Sequence, residues 1–143
     1  MQLSEHFMFS QFDQPAAYGC AAVKYPHKWI TDRAMLLAAV LEAVCSELGG
    51  YSMTVTSGYR SRAFNQALRA AGYPVARNSQ HCEGRAVDVV FEGLEPTEVY
   101  VTALSLHRRG RIRLGGLGLY PSWVHLDIRA GSLQQWLGRG PIR

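Results

Sequence analysis

The sequence holds 143 residues, 48% of them hydrophobic and 18% charged, enough to bury the core of one domain and too apolar for a disordered interaction tail. A formal charge of +4 at pH 7 favours anionic partners at long range, an acidic wall polymer as readily as a nucleic acid. With three cysteines and no C-x-x-C pair, neither a disulfide scaffold nor a regular thiolate metal site is expected.

A single domain spanning residues 1–143 is predicted. Residues 1–30 carry Phe7, Phe9, Phe12, Tyr18, Tyr25 and Trp29 without periodicity, and Pro15 and Pro26 interrupt any helix, so this stretch is expected to wrap one side of the core. It lacks a basic segment followed by an apolar run, so synthesis in the cytoplasm without a signal peptide is the expectation. Thr31 or Asp32 is placed to cap a helix reaching about Leu48, where Gly49 and Gly50 stop it. Met35, Leu36, Ala39, Val40, Ala43 and Val44 recur at helical spacing and form its predicted buried face. The apolar run from Ala34 to Val44 contains Glu42 and is too short to span a membrane.

Met53 to Tyr59 is β-branched and alternating, which predicts a strand ending in a turn. A helix follows from Arg62 to Ala71, then a Gly/Pro/Asn/Ser stretch through Ser79, then a strand from Arg85 to Phe91. Glu95-Pro96 opens a third helix, Thr97 to Arg109. Leu117 to Tyr120, a turn at Pro121-Ser122, a strand from Trp123 to Arg129 and a short helix from Ser132 to Leu137 complete the chain. This order predicts an α+β fold, a small antiparallel sheet flanked by helices. Cys20 and Cys45 are expected as buried free thiols. Arg108, Arg109, Arg111, Arg113, Arg139 and Arg143 have no interleaved aromatics, so a solvated basic loop is expected rather than a nucleic-acid contact.

Chemistry concentrates in two strands. Side chains alternate between faces, so Asp88 shares a face with Ala86 and Val90, where a lone carboxylate is unfavourable unless paired or bound to metal. Around the other strand, Val124, Leu126 and Ile128 form an apolar face, and Trp123, His125, Asp127 and Arg129 a reactive one. His81 precedes Asp88 by seven residues with Gly84 between, so a loop-to-strand passage can bring both to one centre. Two imidazoles and one carboxylate suit a catalytic zinc site with a position left for water. Taken singly, each residue also fits a plainer role, an imidazole in a hydrogen bond or an aspartate at a strand end. Gly115-Gly116-Leu117-Gly118 lacks the lysine and helix of a phosphate loop. His6, His27 and His107 show no ligand spacing, and Cys82 is expected to point away from His81.

Ser57-Gly58-Tyr59-Arg60-Ser61, Ser79-Gln80-His81-Cys82-Glu83-Gly84-Arg85-Ala86-Val87-Asp88 and Trp123-Val124-His125-Leu126-Asp127 resemble the zinc D-alanyl-D-alanine carboxypeptidase and murein endopeptidase family, the M15-like peptidases. That family carries an S-x-H-x-x-G-x-A-x-D motif and shares its fold with the signalling domain of hedgehog proteins. The resemblance extends to Leu3-Ser4-Glu5-His6-Phe7 and Gly115 to Tyr120, and so covers most of the chain. It implies a hedgehog/DD-peptidase-like fold and Zn²⁺ held by His81, Asp88 and His125. It also implies that Arg60 faces the cleft to hold a substrate carboxylate or a developing oxyanion. Ser79 and Gln80 would bond the peptide at the rim. The plainer alternatives are a salt bridge bracing the turn for Arg60 and turn closure for Ser79 and Gln80.

The implied activity is hydrolysis of peptidoglycan stem or cross-link peptides, by a murein endopeptidase or a D,D- or L,D-carboxypeptidase, with a monomer favoured. A phage endolysin reaching the wall by phage-mediated release is one setting. Many members carry Glu, His or Asp two or three residues before the final ligand, where this chain has Ser122 and Trp123. Asp127, on the face of His125, serves either as the general base or as the partner that orients an imidazole, and Glu83 is a further carboxylate nearby. The absent base also leaves a competing reading, a non-catalytic zinc-containing module of the same fold that binds wall or protein.

Overall fold

The computed structural model describes residues 1–139, so Arg143 of the basic set lies outside the described residues. Five strands, β1 (Met53–Ser57), β2 (Ala86–Phe91), β3 (Gly116–Leu119), β4 (Val124–Asp127) and β5 (Gln134–Leu137), form one sheet in the order β1-β2-β4-β3-β5. Helices α1 (Met35–Leu48), α2 (Arg62–Ala70) and α3 (Pro96–Arg108) accompany it, as the α+β expectation requires. Every pairing is antiparallel except β3–β5, which is parallel. No described helix is long and apolar enough to cross a membrane.

One sheet face is the core. Val87, Val89, Leu117, Val124 and Leu126 are buried on it together with residues of α1 and α3. The helix ends follow local chemistry. Ser61 caps α2 by accepting from Phe64 N, and Pro96 opens α3 while the Glu98 carboxylate accepts from Glu95 N. Gly49, at φ 83°, ends α1 in the left-handed conformation that a side chain disfavours.

Two expectations for α1 need correction. Neither Thr31 nor Asp32 caps it, because the chain enters through a π-turn, Ile30–Ala34, and no side-chain cap is formed. Its buried stripe is Leu37, Ala38, Val40, Leu41, Val44 and Cys45, continuing from Ala34; Val40 and Val44 are buried as expected, Ala43 is half-buried, Met35 and Leu36 are exposed and Ala39 faces outward. The segment is apolar nearly all round, so the phase of its stripe is decided by what it packs against. Each of its buried Leu and Val side chains is worth about 1.5–3 kcal/mol of burial.

Residues 1–30 wrap the core through Leu3, Phe7, Phe9, Phe12 and Tyr25, all buried. They also brace the turn after β1: Tyr59 N donates to Phe12 O at 2.8 Å and Ser61 N to the Gln14 side chain at 2.7 Å. Cys45 is buried, whereas Cys20 is only half-buried, against expectation, since it sits in a tight surface turn bridged Ala17 to Cys20. His6 stacks on Tyr51 and bonds Glu42, and the His107 ring accepts from Leu114 N.

The predicted terminal helix at Ser132–Leu137 is instead a turn followed by strand β5. Its residues are good helix formers, but the free edge of β3 offers a ladder, with Gln134 N donating to Gly115 O at 3.0 Å and Gly138 N to Leu119 O at 2.8 Å. A bulge at Thr56 sets the register of β1, bringing Ser57 opposite Asp88. One transverse row then crosses all five strands: Ser57, Asp88, His125, Gly118 and Trp136. This row lies on the face turned away from the core.

Candidate metal centre and cleft

Asp88 and His125 are direct partners across β2 and β4, and His81 reaches them from the turn that feeds β2. One donor atom from each of His81, Asp88 and His125 lies within 4.8 Å of the others, and all three residues are buried. Asp88 Oδ1 is the corner, 3.2 Å from His81 Nε2 and 3.1 Å from His125 Nδ1. Ligands about 2.0–2.1 Å from a tetrahedral ion stand roughly 3.3 Å apart, so these spacings suit one.

The far nitrogen of each ring is already committed. His81 Nδ1 donates to Gly58 O at 2.8 Å, and His125 Nε2 faces Asp127 Oδ2 at 2.7 Å. Burial, with the Arg60 charge beside it, holds the His81 imidazole below its ordinary pKa. Neutral His81 thus carries its proton on Nδ1 and aims a lone pair at a carboxylate oxygen. That contact is repulsive unless a cation lies between them, so the donor set fits a divalent metal ion. Burial also opposes charge on His125, but its hydrogen bonds to Asp127 and Asp88 outweigh that and hold the ring above its ordinary value. The two rings diverge because one neighbours Arg60 and the other Asp127. Asp88, despite burial, is held well below the usual carboxylate range by the two imidazoles.

The ligand turn is fixed from behind. Gly84 sits at φ 66°, and a Cβ there would lie 2.5 Å from the Trp29 ring and 2.8 Å from the Tyr25 hydroxyl. Tyr25 Oη donates to Gly84 O and Arg33 Nη1 to Glu83 O, while Arg33 also covers the Trp29 ring at 4.1 Å. The glycine of the S-x-H-x-x-G-x-A-x-D string is therefore required both by backbone conformation and by close packing.

Arg60 lines the cleft and is buried, and it also holds the turn, with Nη2 donating to Asp88 Oδ2 at 3.1 Å and Nε to Ser57 Oγ at 3.0 Å. Ser79 Oγ accepts from His81 N at 3.1 Å, closing the turn, and both Ser79 and Gln80 line the cleft. Glu83 faces the other way, toward Arg33, Arg62 and Arg85. Cys82 lies beside Ser61 O and outside the donor cluster.

Asp127 does not meet the geometry of a general base. It is fully buried, it does not line the cleft, and both oxygens are engaged. Oδ1 accepts from Arg129 N and Nε at 3.1 and 2.9 Å, and Oδ2 from Arg129 Nη2 at 2.6 Å as well as from His125. Burial pushes its pKa up, yet His125 and Arg129 together lower it to about 2. It stands behind the imidazole, on the nitrogen that does not face Asp88.

Three features were missed from sequence. Arg129 shares the face of Asp127 two residues on, a spacing that could have paired them. Trp136 was hidden by the helical expectation; its ring centre lies 5.1 Å from that of His125, and it crosses Gly118, where a Cβ would fall 2.5 Å from Nε1. Gly116 likewise leaves space that the Asp127 carboxylate fills. The cleft over this row has a volume of about 730 Å³, with Tyr18, Phe64 and Tyr73 at one end and Tyr120, Trp123 and Trp136 at the other.

The family described as "Peptidoglycan L,D-endopeptidase MepK" matches residues 29–136, about three-quarters of the chain and every residue of the centre. The chain belongs to this family of M15 peptidases. The "Peptidoglycan L,D-endopeptidase MepK" of Escherichia coli strain K12 is 39% identical over 82 residues, covering 56% of this chain and 41% of the relative. The "Probable peptidoglycan L,D-endopeptidase MepK" of Haemophilus influenzae is 34% identical over 84 residues, covering 59% and 42%. The chain thus matches only about two-fifths of the length of these curated relatives. No solved structure matches it significantly. Membership agrees with the α+β architecture and with the resemblance carried by the ligand strings.

Proposed function

We propose that this protein is a zinc-dependent peptidoglycan endopeptidase that cuts cross-link peptides at the bacterial wall, with zinc held by His81 Nε2, an Asp88 carboxylate oxygen and His125 Nδ1. One observation carries the reading: the three donors converge in a cleft while the far nitrogen of each ring is already bonded, leaving lone pairs aimed at one point. Zinc there supplies a Lewis acid that activates water and polarises a carbonyl. Gly58 O and Asp127 hold the two imidazoles in the ligating tautomer, Asp127 by this account as an orienting partner and not as the base. Arg60 fixes Asp88 and, from the cleft wall, offers charge to a substrate carboxylate or a developing oxyanion. Ser79 and Gln80, beside it, meet the peptide at the rim. The names of the relatives favour an L,D-endopeptidase over a carboxypeptidase.

Elemental analysis of the purified protein, followed by mass spectrometry of muropeptides digested with and without chelator, tests this. One zinc per chain and chelator-sensitive cleavage of cross-linked dimers are expected, with both lost in His81→Ala. Absence of stoichiometric metal in carefully prepared protein would refute it.

A second reading has one observation in its favour: among the described residues, Asp88 is the only carboxylate lining the cleft. A zinc-containing module that binds wall peptide without cutting it would retain muropeptides on the protein and release no products.

A further inference from the structure

Attack on a peptide carbonyl puts negative charge on its oxygen, and a preorganised donor aimed there contributes about 10²–10³ in rate. Arg60 is one cationic group in the cleft, but its Nε and Nη2 are already bonded to Ser57 and Asp88. His81 and His125 are committed at both nitrogens. Cleft residues able to donate and not yet assigned to the centre are hydroxyls, amides, the Trp123 indole, the exposed Arg139 and Arg129, whose guanidinium is bound to Asp127.

Of these, Tyr120 is the one built into place. It follows β3 directly, and its backbone N donates to Trp123 O at 3.0 Å, closing the hairpin to β4. Its ring stacks on Trp123, centres 4.5 Å apart and planes 12° from parallel, and its edge lies against Gly138, where any Cβ would overlap it. Its hydroxyl oxygen accepts from Trp136 Nε1 at 3.1 Å. An indole N–H can only donate, so the direction of this bond is fixed and the phenol proton is left for another partner. Among the described residues, no acceptor takes it. Trp136 belongs to the row that holds His125 and Asp88, so the same residue anchors the phenol and walls the centre. His81 and Arg60 come from the end where β2 begins, whereas Tyr120 stands two residues past Gly118 at the other.

We propose that Tyr120 is a catalytic residue whose hydroxyl, held by the Trp136 indole N–H, donates a hydrogen bond to the substrate carbonyl oxygen as that oxygen gains negative charge. Trp136 is then a positioning residue acting through Tyr120. The proposal rests on the hydrolytic reading above. It also accounts for β5: a parallel edge strand with Gln134, Gln135 and Leu137 exposed buries little apolar surface, but it delivers Trp136.

The test compares zinc-loaded wild type, Tyr120→Phe, Trp136→Phe and the double variant. Tyr120→Phe keeps the stacked ring and removes only the donor. Expected are a fall in kcat of about 10²-fold on cross-linked muropeptide dimers with KM and zinc content unchanged. Affinity for a phosphinate pseudodipeptide, a tetrahedral anion mimic, should fall by a similar factor in calorimetry, while affinity for the cleavage product holds. Trp136→Phe should lose less, and the double variant no more than Tyr120→Phe alone, an outcome that a merely structural Trp136 would not produce. Wild-type kcat and phosphinate affinity in Tyr120→Phe overturn the proposal while leaving hydrolysis standing. Additive losses in the double variant overturn the role of Trp136. A wild type that cuts nothing yet binds the phosphinate in a Tyr120-dependent way would instead defeat the hydrolytic reading and keep the donor.

Discussion

Replacing Asp127 by Asn separates the two roles open to this carboxylate. The substitution preserves shape but leaves one oxygen where the structure uses two, each with two donors: Arg129 N and Nε on one, Arg129 Nη2 and His125 Nε2 on the other. Asn must therefore turn its NH₂ toward one of these pairs. If it faces His125, the ring relieves the clash by moving its proton to Nδ1, which removes the lone pair aimed at the metal position. If it faces Arg129, a partly exposed guanidinium loses its charged partner, at up to about 1.5–3 kcal/mol for each charge-assisted bond. Loss of such an orienting partner lowers metal affinity by about 10–100-fold, equivalent to roughly 1.4–2.7 kcal/mol. Competition with a chromophoric zinc chelator measures that directly, alongside muropeptide turnover. The expected result is weakened zinc binding, with turnover partly restored at saturating zinc. Unchanged zinc affinity with turnover abolished would refute the orienting role and return Asp127 to the position of base.

Three further outcomes are expected. Gly84→Ala meets left-handed backbone strain of about 1–2 kcal/mol and overlap with Trp29 of about 1–3 kcal/mol, so its melting temperature should fall by roughly 5–15 °C, with zinc retention reduced; a fall under 2 °C would mean that the turn is not held as described. Cys45 is buried and its thiol is pushed up to about 11, chiefly by that burial, so iodoacetamide near pH 7.5 should label it only after denaturation, and native labelling would contradict its packing. Glu42 bonds Ser4 Oγ, His6 N and the His6 ring, and these partners outweigh desolvation to hold its pKa below the ordinary value. Its contribution is then full above the unfolded carboxylate range and lost as pH falls through the folded value. The melting-temperature gap between wild type and Glu42→Gln should accordingly close below about pH 4, and a gap that widens there would reverse the sign.

The centre was legible because metal chemistry constrains residue type and spacing together: His81 and Asp88 sit seven residues apart, with Gly84 between, in a string that also needs a strand, and His125 falls on the reactive face of an alternating one. Alternation likewise separated Val124 and Leu126 from His125 and Asp127. What resisted reading was decided by tertiary partners. The α1 stripe could not be phased in a segment apolar on most sides, so Met35 and Leu36 were assigned inward. Gln134 to Leu137 has helical propensity and became a strand because β3 had an open edge. Asp127 looked equally like a base and a brace until Arg129 and His125 were seen to occupy both its oxygens. The bulge at Thr56, which aligns Ser57 with Asp88, leaves no mark in the local sequence that alternation would detect.

The glycines of β3 bear on how variation in such a site should be weighed. Gly116 and Gly118 bear no reactive group, yet the Asp127 carboxylate and the Trp136 indole occupy the room that their missing side chains leave. A saturation scan scored for zinc retention would consequently rank these two voids with the ligands themselves, while tolerating change at neighbouring positions of richer chemistry such as Arg62 and Glu83. Function here is encoded partly by atoms that are not there.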